Sequence, residues 1–361
     1  AAGVISAVGY LGFTSSQLLA GAKLASATFE GLNLQHALIL MGVVAVGYTV
    51  LGGLKAVIYT DTLQWIILLS GLILIGIPLA YIKTGGIEAL RNTVTPELLS
   101  LGNISWVTFI NWLVTILPVW FVGMTLYQRI YASKSVKQAR KAWYIAGVFE
   151  WPLMAFMGVL LGLFARVAFE DGMFAGMGFV PGSEIDPEMG LPLLLRHILP
   201  YGLMGLLLSA YFSAILSTAD SCLIAASGNV LTDILERLVP GGFTEKRVLF
   251  YSKILTLVIG VIALGIALKM EGVLELMLYS YAIMVSGLFI PVLALLIFRK
   301  PDTVGALSAM VAGGTTTIVL SFIEAKLPFG FAANIFGISV ASLTYIVIHY
   351  INQNKLKSYE L

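Results

Sequence analysis

Residues 209–227 read SAYFSAILSTADSCLIAAS: five serines, a threonine and an aspartate set in a run that is otherwise apolar. YGLMGLLL (201–208) precedes the stretch and NVLTDIL (229–235) follows it closely. Side-chain oxygens among such neighbours need partners other than bulk water, because an unpartnered polar group in an apolar medium is costly.

The rest of the chain fixes that medium. Of its 361 residues, 59% are hydrophobic and only 11% charged, with a mean hydropathy of +0.95. Apolar runs close to twenty residues recur along the sequence, each long enough to cross a bilayer as a helix. The expected fold class is therefore all-α, a polytopic membrane helix bundle of about ten transmembrane helices. The expected spans are 3–28, 34–53, 55–83, 106–131, 143–167, 201–235, 246–269, 273–298, 303–323 and 328–352. The proline-broken segment DPEMGLPLLLRHILP (186–200) is too short to cross and is expected to be an interfacial helix.

Charge placement gives an orientation. QRIYASKSVKQARKAW (128–143) carries Arg129, Lys134, Lys137, Arg140 and Lys141 and no acid, which places it in the cytoplasm. Residues 168–200 then lie outside, with Glu170, Asp171, Glu184, Asp186 and Glu188 against Arg196 alone. Arg299, Lys300, Lys355 and Lys357 fall inside, so both termini of this sequence are expected to be cytoplasmic. The opening AAGVISAVGYLGFTSSQ has neither an initiator Met nor a charged leader and reads as the interior of a helix, hence as an N-terminal truncation. A net charge of +2 implies no nucleic-acid partner. Cys222 is the only cysteine, so no internal disulfide forms, and it reads as a small buried side chain.

On a helix, Ala214, Ser217, Thr218 and Ser221 share one stripe, and Ser213, Ser217 and Asp220 share the next. Hydroxyls and free carbonyls are hard ligands that suit a small alkali cation such as lithium or sodium. The same composition also makes a close-packing face between helices. Asp220 adds a carboxylate whose ionised form costs about 3 kcal/mol or more at mid-membrane, and residues of that kind are usually functional. A second acid, Asp61, lies in YTVLGGLKAVIYTDTLQ (48–64), about two turns beyond a break expected at Gly52 and Gly53, with Lys55 at the interface. It is read either as a carboxylate paired with a neighbouring helix or as a cation ligand or proton-sensitive switch.

Three further places concern a solute. In LPVWFVGMTLYQR (117–129), Pro118 and Gly123 should interrupt a span and free backbone groups, with Trp120 facing a cavity or acting as a packing residue. In GVFEWPLMAF (147–156), Glu150 precedes Pro152, and three roles are open to it: receiving a cationic solute, pairing with a Lys or Arg, or reaching back to the inner interface. In ELMLYSYAIMVSGLFIP (275–291), Tyr279, Ser280 and Tyr281 are gate candidates, with Gly287 and Pro291 as points of flexure; packing is their other reading.

GGLKAVIYTDTLQ (52–64), YQRIYASKSVKQARKA (127–142) and LSAYFSAILSTADSCLIAAS (208–227), in that order along the chain, resemble the sodium/solute symporter family of sodium-coupled sugar, proline, pantothenate and choline carriers. The resemblance covers essentially the whole sequence. It implies two inverted five-helix repeats with sites near the midplane: residues 1–83 the remainder of the first repeat, lacking the first two core helices, 106–298 the second, and 303–352 additional helices. It implies a sodium ion held in part by the Ala214 carbonyl and the Ser217 and Thr218 hydroxyls, and a second cation site from Asp61, Ser217, Asp220 and Ser221. Asp220 stands where two-sodium members carry a hydroxyl. Sugar carriers show Asn and Tyr where this chain has Ile116 and Val119, which argues against a galactose-type site.

The functional expectation is a sodium-coupled symporter of a small polar organic solute, needing no oligomer, in the lipid bilayer of a bacterial inner membrane. A gradient-independent channel or facilitator, and a carrier-derived sensor, are the alternatives. An enzyme is not expected, since His36, His197 and His349 lie apart near span ends.

Overall fold

The computed structural model describes residues 1–239, 242–298, 301–323 and 327–359, with the side chains of 53–60, 101, 151 and 354–359 outside that description. Arg299 and Lys300, and the side chains of Lys55, Lys355 and Lys357, therefore lie outside the described residues. Every regular element among the described residues is helical, and ten segments are long and apolar enough to cross a membrane. They coincide with the ten expected spans.

The chain opens with α1 (Ala2–Thr28). Asn33 then caps α2 (Leu34–Gly71) by accepting the His36 N–H at 2.9 Å. A π-helical turn, Leu72–Gly76, leads into α3 (Ile77–Lys83), and α4 (Gly86–Thr93) follows. The next span is divided into α5 (Trp106–Ile116), α6 (Val119–Val122) and α7 (Met124–Tyr131). α8 (Val136–Val148) passes through a π turn at Phe149–Met154, around Pro152, into α9 (Ala155–Glu170). Proline donates no N–H, so the helical register widens there. α10 (Gly190–Ile198) precedes the long α11 (Tyr201–Asn229), which continues through a π turn, Val230–Leu235, to α12 (Glu236–Leu238). α13 (Glu245–Ala267), α14 (Val273–Ile297), α15 (Thr303–Phe322) and α16 (Ala333–Tyr359) complete the chain.

Helical structure runs unbroken through Gly52, so the interruption expected there is not a loop. Gly53 and Lys55 belong to the segment whose side chains are undescribed. The stretch nonetheless provides two spans, Leu34–Gly52 and Asp61–Lys83. Leu34 borders a cavity with Lys23, Asp186 and Glu188, and α3 packs on α10, so both ends reach the face that carries residues 170–200.

α11 lies at the centre, flanked by α1, α2 and α13, while α14 lies across α1 and carries the α15–α16 hairpin on its other side. Close approach depends on small residues: a methyl group on Gly12 would overlap Ser280 Oγ, and one on Gly71 would overlap the Leu207 side chain.

The segment 186–200 departs from expectation. α10 does not lie at an interface with a free apolar face, because Leu193, Leu194, Leu195 and Ile198 are fully buried in the cluster that includes Phe164 and Phe174. Polar clamps hold it in place. Arg196 donates to the Ala27 carbonyl at 3.0 Å and to Glu30 Oε1 at 2.5 Å. Lys23, whose side chain is 4% exposed, meets Asp186 and Glu188 at 2.6 Å each and the Glu271 carbonyl at 2.5 Å. Glu188 in turn accepts the Val273 and Leu274 N–H groups at 2.9 and 3.0 Å, capping the start of α14. Lys23→Met leaves two carboxylates without their ammonium, and the expected loss is about 2–3 kcal/mol. Thermal unfolding of the purified variant checks this; an unchanged melting temperature would show that the cluster contributes nothing.

Candidate ion and solute site

The polar stripe of α11 turns its oxygens to a cavity. Ser217 Oγ donates to the Ala214 carbonyl at 3.0 Å, and Thr218 Oγ1 donates to the same oxygen at 3.1 Å. The hydroxyl protons thus point back into the helix, which leaves the oxygen lone pairs for a ligand. Ser217 and Thr218 line a cavity of about 370 Å³ together with Asp61, Trp120, Glu150, Ser221 and Tyr281.

Across the cavity stands the interrupted span. α5 ends at Ile116, Pro118 starts the single turn α6, and Gly123 adopts an extended conformation before α7. The interruption expected at Pro118 and Gly123 is therefore present. Tyr10 of α1 serves it, its hydroxyl accepting the Thr125 N–H at 2.9 Å in the first turn of α7. Nothing in the Tyr10 neighbourhood of the sequence signals this, since its partner lies 115 residues away.

The three gate candidates separate. Tyr281 lines the cavity and stacks on Phe13, with ring centroids 5.2 Å apart. Ser280 is buried, bonded to the Leu276 carbonyl at 2.7 Å, and faces Gly12. Tyr279 borders a different cavity of about 470 Å³, with Asn111 and Glu275. Successive residues of a helix point about 100° apart, so one cavity cannot receive all three.

The carboxylates separate as well. Asp61 and Ser221 meet at Arg129, whose Nη2 lies 3.3 Å from Asp61 Oδ2 and donates to Ser221 Oγ at 2.8 Å, while Nη1 donates to the Thr125 carbonyl at 3.2 Å. A guanidinium thus stands where the expected second cation site would gather its ligands. Asp220 is turned elsewhere: it is fully buried, does not line the cavity, and its Oδ1 lies 2.5 Å from Thr49 Oγ1. Its grouping with Asp61 and Ser221 is not the arrangement observed. Arg129 and Thr49 are the site residues absent from the sequence expectations, in which the Arg129 charge bears on orientation alone. The signal was available, since an arginine two turns beyond a helix-breaking glycine calls for a carboxylate partner. Cys222 is buried beside the cavity.

A family model described as the Sodium:solute symporter family matches residues 4–313. The chain belongs to that family. Members of the sodium:solute symporter family are membrane transporters, not enzymes. The high-affinity proline transporter PutP of Bacillus subtilis is 28% identical over 360 residues, covering 94% of this chain and 72% of the relative. The osmoregulated proline transporter OpuE of the same organism is 27% identical, covering 85% and 61%. The sodium/pantothenate symporter of Haemophilus influenzae is 27% identical, covering 94% and 68%. The chain thus spans 61–72% of the length of these symporter-family relatives. A substrate-bound, outward-open Na+-coupled sialic acid symporter shares the fold at a TM-score of 0.71 and 21% identity, covering 95% of this chain and 72% of that one.

Proposed function

We propose that this protein is the transport core of a sodium-coupled symporter for a small polar organic solute, working by alternating access. The observation that carries the reading is the pair of hydroxyls Ser217 Oγ and Thr218 Oγ1, both bonded to the Ala214 carbonyl, on the wall of a cavity that the interrupted span also lines. Interrupted helices at a midplane cavity are the usual construction of ion and solute sites in secondary transporters. Relatives named for proline, pantothenate, mannose and choline support a small organic solute.

In this reading sodium is a co-substrate, received by the Ala214, Ser217 and Thr218 oxygens of α11. Coupling follows if sodium and solute both bind the outward-open state better than the inward-open one, because a ligand shifts an equilibrium only by its differential affinity. Tyr281 and Phe13 stack at the cavity wall and form the gate candidate. Residues 1–83 and 106–298 belong to two inverted repeats, with 303–352 packed outside them. Both ends of the chain face the cytoplasm of a bacterial inner membrane, with the 168–200 segment outside.

Uptake by the full-length protein in proteoliposomes tests the reading. Solute accumulation is expected to stop when the sodium gradient is collapsed by an ionophore. Flux that continues undiminished would instead establish a facilitator.

A further inference from the structure

Glu150 is the unbalanced charge of the cavity. Of the three acidic or basic side chains on its wall, Asp61 and Arg129 face each other, whereas Glu150 has no ion pair among the described residues. It sits in the π turn Phe149–Met154, a helix irregularity frequent at functional sites. Trp120 and Glu150 line both the central cavity and an adjoining cleft of about 200 Å³ between α7 and α8. In that cleft Trp143 stands edge-on to Trp120, centroids 5.8 Å apart and planes at 70°. A carboxylate beside two indoles is the chemistry that recognises a positively charged nitrogen, by charge and by cation–π attraction. The ion ligands on α11 are neutral oxygens, so a sodium ion there does not require Glu150 for coordination.

We propose that Glu150, with Trp120 as the adjoining π surface, receives a positively charged nitrogen of the transported solute, which is therefore an amine or quaternary ammonium compound. The inference rests on the symporter reading above and names the solute class of the same site. Ile116, Val119, Leu126 and Met284 supply the apolar remainder of the wall and suit the carbon frame of such a solute. An uncompensated carboxylate at membrane depth is unfavourable, and a cationic ligand relieves that penalty only when bound. Solute selectivity and the retention of Glu150 then have one cause.

The test uses full-length protein in detergent, with melting temperature read in sodium and in potassium chloride. Millimolar choline and proline, which carry ammonium groups, are compared with 3,3-dimethylbutan-1-ol, the neutral carbon counterpart of choline, and with pantothenate, an anion. At least one ammonium compound is expected to stabilise the wild type in sodium, and the neutral alcohol is not. Glu150→Gln is expected to weaken that binding about tenfold or more, and Trp120→Leu about fivefold. Glu150→Asp, which keeps the charge, should retain most of it and guards against a misfolded amide variant. Failure of both ammonium compounds to bind, equal binding by Glu150→Gln, or stabilisation by the alcohol or pantothenate alone overturns the proposal. A raised sodium requirement in Glu150→Gln with unchanged solute binding also overturns it, assigning Glu150 to the ion. Loss of any difference between sodium and potassium in the wild type, with ammonium binding intact, defeats the symporter reading instead.

Discussion

Replacing Ser217 with Ala and Thr218 with Val together should leave the full-length carrier folded and raise the sodium concentration needed for half-maximal uptake by about 100-fold or more. Both hydroxyls bond the Ala214 carbonyl of their own helix. The structural cost of removing them is small, since a net intrahelical hydrogen bond contributes about 1 kcal/mol. Alanine also favours the helix over serine by a few tenths of a kcal/mol, which offsets part of the loss. Valine preserves the threonine shape. A sodium ion bound here would lose the Ser217 and Thr218 hydroxyl oxygens of this wall. If each contact resembles a hydrogen bond to a charged group, about 1.5–3 kcal/mol, losing two accounts for the expected factor. Sodium titration of uptake and a melting curve for the same preparation separate the two effects. An unchanged sodium requirement with unchanged stability would return both hydroxyls to the role of packing residues.

Much of this architecture was legible in the sequence because it depends on quantities a sequence carries directly. Apolar run length set the ten spans, and Pro118 with Gly123 set the interruption between α5 and α7. Residue direction was less legible. Asp220 and Ser221 are neighbours in sequence, yet one faces Thr49 across 171 positions and the other faces Arg129. A stripe drawn on α11 alone cannot tell which neighbouring helix each position meets. The same limit applied to Tyr279, Ser280 and Tyr281, whose fates were decided by α1 and the α15–α16 hairpin. For α10 the apolar run LPLLL reads alike on a membrane surface or under a packed loop. The anchors that decided for packing, Lys23 at Glu188 and Ala27 and Glu30 at Arg196, lie far from it in sequence.

Arg129→Met alone should destabilise the protein by about 2 kcal/mol, whereas Asp61→Asn combined with Arg129→Met should recover most of that loss. The expected size lies between an exposed pair, worth under about 1 kcal/mol, and a buried pair, whose disruption costs about 3–5. The side chains are intermediate, 38% exposed for Arg129 and 29% for Asp61. Removing the guanidinium leaves Asp61 without its charge partner in the cavity, and Asp61 Oδ1 already has no hydrogen bond among the described residues. Removing both charges leaves an amide and a thioether, which the cavity tolerates better than one unpaired carboxylate. The single variant carries a second signature. With the guanidinium gone, Asp61 and Ser221 face the cavity together, so sodium chloride should stabilise Arg129→Met more than potassium chloride does, and more than it stabilises the double variant. Melting curves for the four proteins of the cycle in both salts give the coupling between the two side chains. Additive losses, with no salt preference in Arg129→Met, would mean that the guanidinium neither balances Asp61 nor occupies a place a cation can take.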